Sequence, residues 1–143
     1  SGNGSSGGAG SLVTPDASTF TVTPNNNVNA SGNTYIAYLF ASLPGISKVG
    51  SYTGNGTSQT IDCGFTSGAR FVLIKCTTVA YDWQFFDTER GIVAGNDSKL
   101  ALNTTQAEQT NGDFIDPSSS GFAVTSSSSM NANGETFIFY AIA

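Results

Sequence analysis

Histidine is absent from this sequence, and charged residues are scarce. Of the 143 residues, 5 are Lys or Arg and 10 are Asp or Glu, so charged side chains make up 10% of the chain, against roughly 25% in an ordinary soluble domain. Without histidine, the usual Ser-His-Asp and Cys-His nucleophile systems cannot form, and the commonest zinc ligand is missing. A net charge of −5 argues against a basic surface that binds phosphates. We therefore expect no enzymatic activity, no cofactor or metal and no nucleic-acid partner.

Long apolar stretches are also missing. The run at 35–41 is only the length of one strand, whereas a membrane-spanning helix needs about 18 or more apolar residues, so no membrane span is expected. Ser, Thr, Asn and Gly are abundant instead and supply 65 of the 143 residues. Since 38% of the residues are hydrophobic, the chain can still bury a core. Its surface is then covered mainly by hydroxyls, amides and bare backbone.

The sequence contains an incomplete internal repeat. Residues 14–41 align without a gap on residues 116–143, and 12 of the 28 aligned pairs are identical. The identical pairs include aromatic and aliphatic residues: Phe20 and Phe122, Val22 and Val124, Ile36 and Ile138, Tyr38 and Tyr140. We predict a Gly/Ser-rich linker at 1–11, the C-terminal third of a repeat unit at 12–41 and a complete unit at 42–143.

Both parts of the chain have the pattern of β-strands. Runs of β-branched and aromatic residues recur at short intervals, for example at 34–40, 71–77 and 136–142, and turn-forming pairs such as Asn111-Gly112 separate such runs. Short strands with frequent turns are typical of sandwiches and barrels. We predict an all-β fold in which an antiparallel, jelly-roll-like β-sandwich follows the strands of a partial repeat.

Two of these runs, at 71–74 and 137–142, are apolar at every position rather than at alternate positions. Such strands are typically buried on both faces, one face by the opposing sheet and the other by a neighbour such as another subunit. The candidates for subunit packing are the apolar residues that close the complete unit and their repeat counterparts: Phe137, Ile138, Phe139, Tyr140 and Ile142, with Tyr35, Ile36, Tyr38 and Phe40.

Three aromatic residues are candidates for stacking on a glycan: Tyr52, Tyr81 and Trp83. The alternative is that these side chains belong to the core or to a subunit interface. Acidic residues near Trp83 (Asp82, Asp87, Glu89) have a spacing that would permit glycosidase chemistry. The same spacing is typical of a solvated strand edge, so we assign no catalytic residue.

The chain has two cysteines, Cys63 and Cys76. A hairpin centred near Ala69 and Arg70 would bring the two residues nearly opposite each other. The sequence is compatible with a cross-strand disulfide and equally with two buried free thiols.

Four sequence motifs of the chain are found together in a known protein family. They are 49–56 (VGSYTGNG), 71–75 (FVLIK), Trp83 followed by 86–90 (FDTER), and the closing 131–143 (NANGETFIFYAIA). With these motifs the complete unit resembles a tandemly repeated β-domain of tail-fibre and related virion proteins of tailed bacteriophages of the marine and cyanobacterial type. Residues 29–41 (NASGNTYIAYLFA) resemble the end of a preceding repeat of the same kind.

The resemblance implies a structural or adhesive virion component, located in the virion or outside the cell, usually without catalysis and often trimeric. We expect a part of a tail fibre or similar appendage that assembles with copies of itself, as a trimer or higher oligomer, and with other virion proteins. One alternative is a receptor-recognition module that binds a host surface glycan. Another is a subunit of an extracellular fibre in which residues 12–41 donate strands to a neighbour.

Overall fold

The computed structural model describes residues 12–13, 16, 18–22 and 26–143, so the linker predicted at 1–11 lies outside the described residues. The chain divides into two compact units, Ser1–Leu39 and Phe40–Ala143. Within the described residues, no helix is long and apolar enough to cross a membrane.

The smaller unit contains a hairpin of two strands, β1 (Leu12–Val13) and β2 (Thr21–Val22). The larger unit contains nine strands and one short helix: β3 (Ser47–Thr53), β4 (Gln59–Asp62), β5 (Phe71–Cys76), β6 (Gln84–Asp87), β7 (Asp97–Ala101), β8 (Gln109–Gly112), β9 (Ile115–Ser118), β10 (Gly121–Val124), α1 (Ser128–Asn131) and β11 (Thr136–Ile142).

The strands of the larger unit form two antiparallel sheets. The large sheet has six strands in the order β3-β11-β5-β6-β7-β8, and the small sheet has three strands in the order β4-β10-β9. The predicted all-β antiparallel sandwich is therefore confirmed. β11 is the last strand of the larger unit but lies between β3 and β5, so this part of the large sheet pairs strands that are far apart in the sequence.

The core lies between the two sheets. Side chains alternate along a strand, so β5 buries Val72 and Ile74 while Leu73 points to the other face. On β11, Phe137, Phe139 and Ala141 are buried in the same way. The small sheet contributes Phe122, whose ring meets Phe139 edge-on with 5.3 Å between ring centroids. The other face of β5 and β11, which was also predicted to be apolar, points away from this core.

The smaller unit repeats local features of the larger one. The repeat alignment places β2 on the last half of β10, and in both places that segment is the second strand of an antiparallel hairpin. The two units also share a turn that follows this hairpin. In the smaller unit the N–H of Asn33 donates to the carbonyl of Ala30 at 3.3 Å, and in the larger unit the N–H of Glu135 donates to the carbonyl of Ala132 at 3.2 Å. The glycine in each turn, Gly32 or Gly134, has φ of 82°, which favours glycine because it has no Cβ.

The run at 34–40 was expected to be a strand, and this prediction is wrong. These residues form no strand, and their side chains are exposed. Their repeat counterpart, β11, is hydrogen-bonded to β3 on one side and to β5 on the other. The described residues of the smaller unit contain no equivalents of β3 and β5. An apolar, β-branched sequence does not make a strand without partners for its backbone N–H and C=O groups.

Candidate functional site

The outer face of the large sheet carries a continuous row of apolar side chains. The strand register places Tyr140 directly between Val49 and Leu73, and Leu73 opposite Phe85. Phe85 in turn pairs with Leu100 on β7. The row therefore crosses five neighbouring strands. We call these five residues the outer apolar row.

Other large side chains extend this row. Phe40 packs on Tyr140 with 4.6 Å between ring centroids, and Phe71 contacts both Phe85 and Tyr140 at 5.2 and 5.8 Å. Between Phe40 and Trp83 lies an open groove of about 390 Å³ whose floor includes Ile138.

The side chains of this face are partly open to solvent, since the outer apolar row is half-buried apart from Val49. Val49 is 42% exposed, Ile138 40% and Trp83 37%. Large exposed apolar patches are often contact sites, so this face is a candidate contact surface.

The residues predicted to pack between subunits fall into three groups. Phe137 and Phe139 are buried in the core of the unit and are not available to a partner. Ile138, Tyr140, Ile142 and Phe40 lie on or beside the outer face of the large sheet. Tyr35, Ile36 and Tyr38 are exposed in the smaller unit.

The three aromatic residues predicted as a glycan platform are separated by the fold. Tyr52 belongs to the core: its ring stacks on Phe137 with 5.1 Å between centroids, and its hydroxyl donates to the carbonyl of Met130 at 2.5 Å. Burial raises the pKa of Tyr52 far above its usual value. Tyr81 is half-buried against the core, while Trp83 lies in the groove of the outer face. These side chains do not form one surface.

The two cysteines lie in different sheets. β4, which ends just before Cys63, pairs with β10 in the small sheet, whereas Cys76 ends β5 in the large sheet. The hairpin expected around Ala69 and Arg70 is therefore wrong, because the chain crosses from one sheet to the other at that point. Both thiols are buried, and neither forms a disulfide bond.

The environments of the two thiols differ. Burial raises the pKa of Cys63 to about 11, with a further contribution from the charge of Asp62. Burial also acts to raise the pKa of Cys76, but hydrogen bonds from the hydroxyl of Thr78 and the N–H of Val79 lower it overall. Neither thiol has the exposed, electropositive surroundings of a nucleophilic cysteine.

The acidic side chains of Asp82 and Asp87, near Trp83, contact different residues. Asp87 forms an ion pair with Arg90, and Arg90 also contacts Glu108 at 3.2 Å. Asp82 accepts a hydrogen bond from the side chain of Asn103 at 2.8 Å. Over the part of the chain that the structure describes, no three His, Cys, Asp or Glu side chains are grouped so that they could hold a metal ion.

A polar cavity that sequence reasoning missed lies at one end of the sandwich. Its volume is about 180 Å³. Its lining comes from the segment before β6, the inner faces of β6 and β7, the loop after β7, the start of β8 and the helix α1: Tyr81, Asp82, Gln84, Lys99, Ala101, Gln106, Ala107, Gln109 and Ser129. Gln84 is only 4% exposed, and its Oε1 has no hydrogen-bond partner among the described residues. The available signal was Gln84 itself, a polar residue on the same face of β6 as the buried Phe86.

Lys99 is the cationic group of this cavity. Its ammonium group lies 4.1 Å from the centroid of the Phe114 ring, a cation–π distance. Burial lowers the pKa of Lys99, and the negative charge of Asp82 opposes this effect. The lining thus combines one positive group, one negative group and several neutral polar groups.

Comparison with known proteins gives a family but no characterised relative. No curated protein and no solved structure is significantly similar to the chain. The model of the family DUF7483, described as a domain of unknown function, matches residues 3–143. The match extends over both units of the chain, which therefore belongs to the DUF7483 family.

Proposed function

We propose that this chain is a structural component of a multi-copy extracellular assembly, a tail fibre or similar appendage of a phage virion, and that copies associate through the outer apolar row. The observation that carries the proposal is the apolar row across five strands of the large sheet, in which Val49 is exposed and the other four side chains are half-buried. Burial of such a face against a neighbour is worth roughly 25 cal/mol per Å² of apolar area removed from water.

The charge of this face favours a second copy as the neighbour. The chain has a net charge of −5, so contact between copies through its acidic surfaces would be repulsive. The outer apolar row contains no charged residue. Lys75, next to Ile138 in the neighbouring row, donates a hydrogen bond to the carbonyl of Tyr81. Arg90, whose guanidinium lies 5.3 Å from the centroid of the Phe85 ring, is held in ion pairs. A second copy that covers the row would therefore meet one cation that is ion-paired and one that is hydrogen-bonded.

The virion context is supported by the sequence resemblance together with the repeat. A chain with one complete unit and part of another suits an appendage built from serial β-domains, and a surface dominated by Ser, Thr, Asn and Gly suits hydrogen-bonded packing of many copies. A scaffold of this kind needs no catalytic residue and no cofactor.

The test compares the oligomeric state of the full chain with that of surface variants. Sedimentation velocity should show a concentration-dependent oligomer for the wild type. Val49→Lys and Ile138→Lys each place a charge on the exposed face and should give monomers with an unchanged circular dichroism spectrum. The matched control is Thr60→Lys, which adds the same charge at an exposed position of the small sheet and should leave the oligomer intact. A wild type that is monomeric at its highest soluble concentration contradicts the proposal.

A second mode of assembly is favoured by a separate observation. Residues 34–39 include exposed Tyr35, Ile36, Tyr38 and Leu39, and their repeat counterpart is a central strand of the large sheet. In this mode the segment adds a strand to a neighbouring subunit. Deletion of residues 1–39, which leaves Phe40 and the outer apolar row in place, should then reduce the size of the oligomer. An unchanged oligomer after this deletion argues against strand donation.

A further inference from the structure

We propose that the polar cavity between Gln84 and Lys99 binds one sugar ring, or an equally compact polyhydroxylated group, of a glycan. This site is distinct from the outer face, and of the three aromatic residues expected from the sequence to contact a glycan it includes only Tyr81. Its lining residues come from four segments that only the folded sandwich brings together.

The first argument is the unpaired oxygen of Gln84. On β6 this residue is directly opposite Ile74 and Ala101 and shares the inner face with Phe86, which is fully buried. An apolar residue would normally be found at such a position, since a buried amide oxygen without a donor is unfavourable. Gln84 lines the cavity, and its buried Oε1 has no protein donor among the described residues. A ligand that enters the cavity with a hydrogen-bond donor would satisfy it.

The second argument is the charge of the lining. Lys99 offers ammonium N–H donors, and Asp82 offers carboxylate acceptors. An anionic ligand would face Asp82, a cationic ligand would face Lys99, and an apolar ligand would leave Gln84 unpaired. A hydroxyl group both donates and accepts, so a molecule with several hydroxyls can satisfy all three residues at once. The half-buried ring of Tyr81 supplies an apolar wall of the kind against which sugar C–H groups pack.

The third argument is size. A cavity of about 180 Å³ is smaller than the roughly 300–1,000 Å³ of a site for a drug-sized molecule. It has room for a compact ring but not for an extended chain. The exposed glutamines at its mouth, Gln106 and Gln109, can contact the next residue of a longer glycan.

The position on β6 separates this site from self-association. Gln84 points into the sandwich, whereas its neighbours Trp83 and Phe85 belong to the outer face. Substitutions on one face of β6 therefore test glycan binding, and substitutions on the other face test self-association. A failure of one proposal does not decide the other.

The experiment is a titration of the full, ¹⁵N-labelled chain with the methyl glycosides of glucose, galactose, mannose and N-acetylglucosamine, followed by amide chemical shifts. Because a large oligomer broadens the amide signals, the titration is repeated with the Val49→Lys variant. This variant should be monomeric and should bind the same glycosides. We expect saturable shifts for at least one glycoside, confined to β6, β7, the loop at 102–108 and α1. A cavity that holds only water would give no shift with any of the four, and that result overturns the proposal.

Two variants test the assignment of the site. Gln84→Met keeps the volume and removes the unpaired oxygen, so affinity should fall by about tenfold or more while the thermal unfolding midpoint stays equal or rises. Lys99→Met keeps the aliphatic stem and removes the ammonium group, and it should weaken binding similarly; it also serves if Gln84→Met does not fold. Wild-type affinity in the folded variants overturns the proposal, and so do shifts centred on the outer face.

Discussion

The side-chain amide of Asn131 donates a hydrogen bond to the backbone carbonyl of Thr125 at 2.7 Å. Asn131 is completely buried, and its Oδ1 accepts hydrogen bonds from the N–H of Asn55 at 3.0 Å and from Nε2 of Gln59 at 2.6 Å. Its Nδ2 also donates to the carbonyl of Thr57 at 2.5 Å. One side chain therefore fixes the glycine-containing loop after β3 to the segment between β10 and α1.

Replacement of this residue should be costly. In Asn131→Ala the buried carbonyl of Thr125 loses its donor and Gln59 loses one of its two acceptors, so we expect the free energy of unfolding to fall by about 3 kcal/mol. Urea denaturation followed by tryptophan fluorescence measures the change. The matched control is Asn29→Ala at the repeat counterpart, which is exposed and should change stability by no more than about 0.5 kcal/mol. Equal effects of the two substitutions would show that the network does not stabilise the unit.

Gly50 lies directly opposite Phe139, on the inner face of the large sheet. A Cβ atom at position 50 would come within 2.7 Å of two atoms of the Phe139 ring. Since Phe139 is packed in the core, the ring has little freedom to move, and Gly50→Ala should destabilise the chain by about 1–3 kcal/mol. Thermal unfolding compares this variant with Ser51→Ala, the neighbouring exposed position. A Gly50→Ala variant as stable as Ser51→Ala contradicts the packing described here.

Tyr52 should make stability depend on pH in the alkaline range. Its ordinary pKa is 10.0, and burial raises the pKa in the folded chain. The unfolded chain therefore ionises first, so the contribution of the buried neutral phenol is fully present below about pH 10 and is lost as pH rises above it, by at most about 1.4 kcal/mol per pH unit.

The comparison variant for this residue is Tyr52→Phe, which lacks the hydrogen bond to Met130 and should be less stable at neutral pH by about 1–2 kcal/mol. Denaturant titrations from about pH 8 to about pH 11 give the difference between the two proteins. We expect this difference to be constant up to about pH 10 and to narrow above it. A gap that is the same across the whole range would mean that Tyr52 ionises equally easily in both states.

The two cysteines should be reduced and protected. Intact mass spectrometry of the native chain should give the mass with both thiols free, and a mass lower by two hydrogen atoms would show a disulfide that the fold does not contain. Iodoacetamide at neutral pH should label Cys63 only after unfolding, because the thiol is buried and its pKa is raised to about 11. Labelling in guanidinium chloride is the control and should modify both residues.

Much of the fold was predictable because it follows from local patterns. Glycine and asparagine turns between β-branched and aromatic runs predicted an antiparallel all-β fold, and the aligned repeat predicted that residues near 14–41 and 116–143 share local structure. The identical φ of Gly32 and Gly134 agrees with that prediction. The fully apolar runs also predicted a second apolar face on the large sheet, which the outer apolar row provides.

The candidate site was much less predictable, because alternation alone does not say which sheet a strand joins. The pairing of β4 with β10 separates Cys63 from Cys76, and the insertion of β11 between β3 and β5 buries Tyr52 against Phe137. These pairings join residues far apart in the sequence, so no local motif reveals them.

The sequence by itself determined the class of the fold, the repeat and the low charge of the surface, because composition and periodicity act over a few residues at a time. Only the tertiary structure decided which apolar residues are core and which are exposed. Phe139 and Tyr140 are adjacent and both aromatic, yet one is buried against Phe122 and the other lies in the outer apolar row. Likewise, the same kind of run is a central strand at 136–142 and an exposed segment at 34–39, because only the former has strands on both sides to satisfy its backbone.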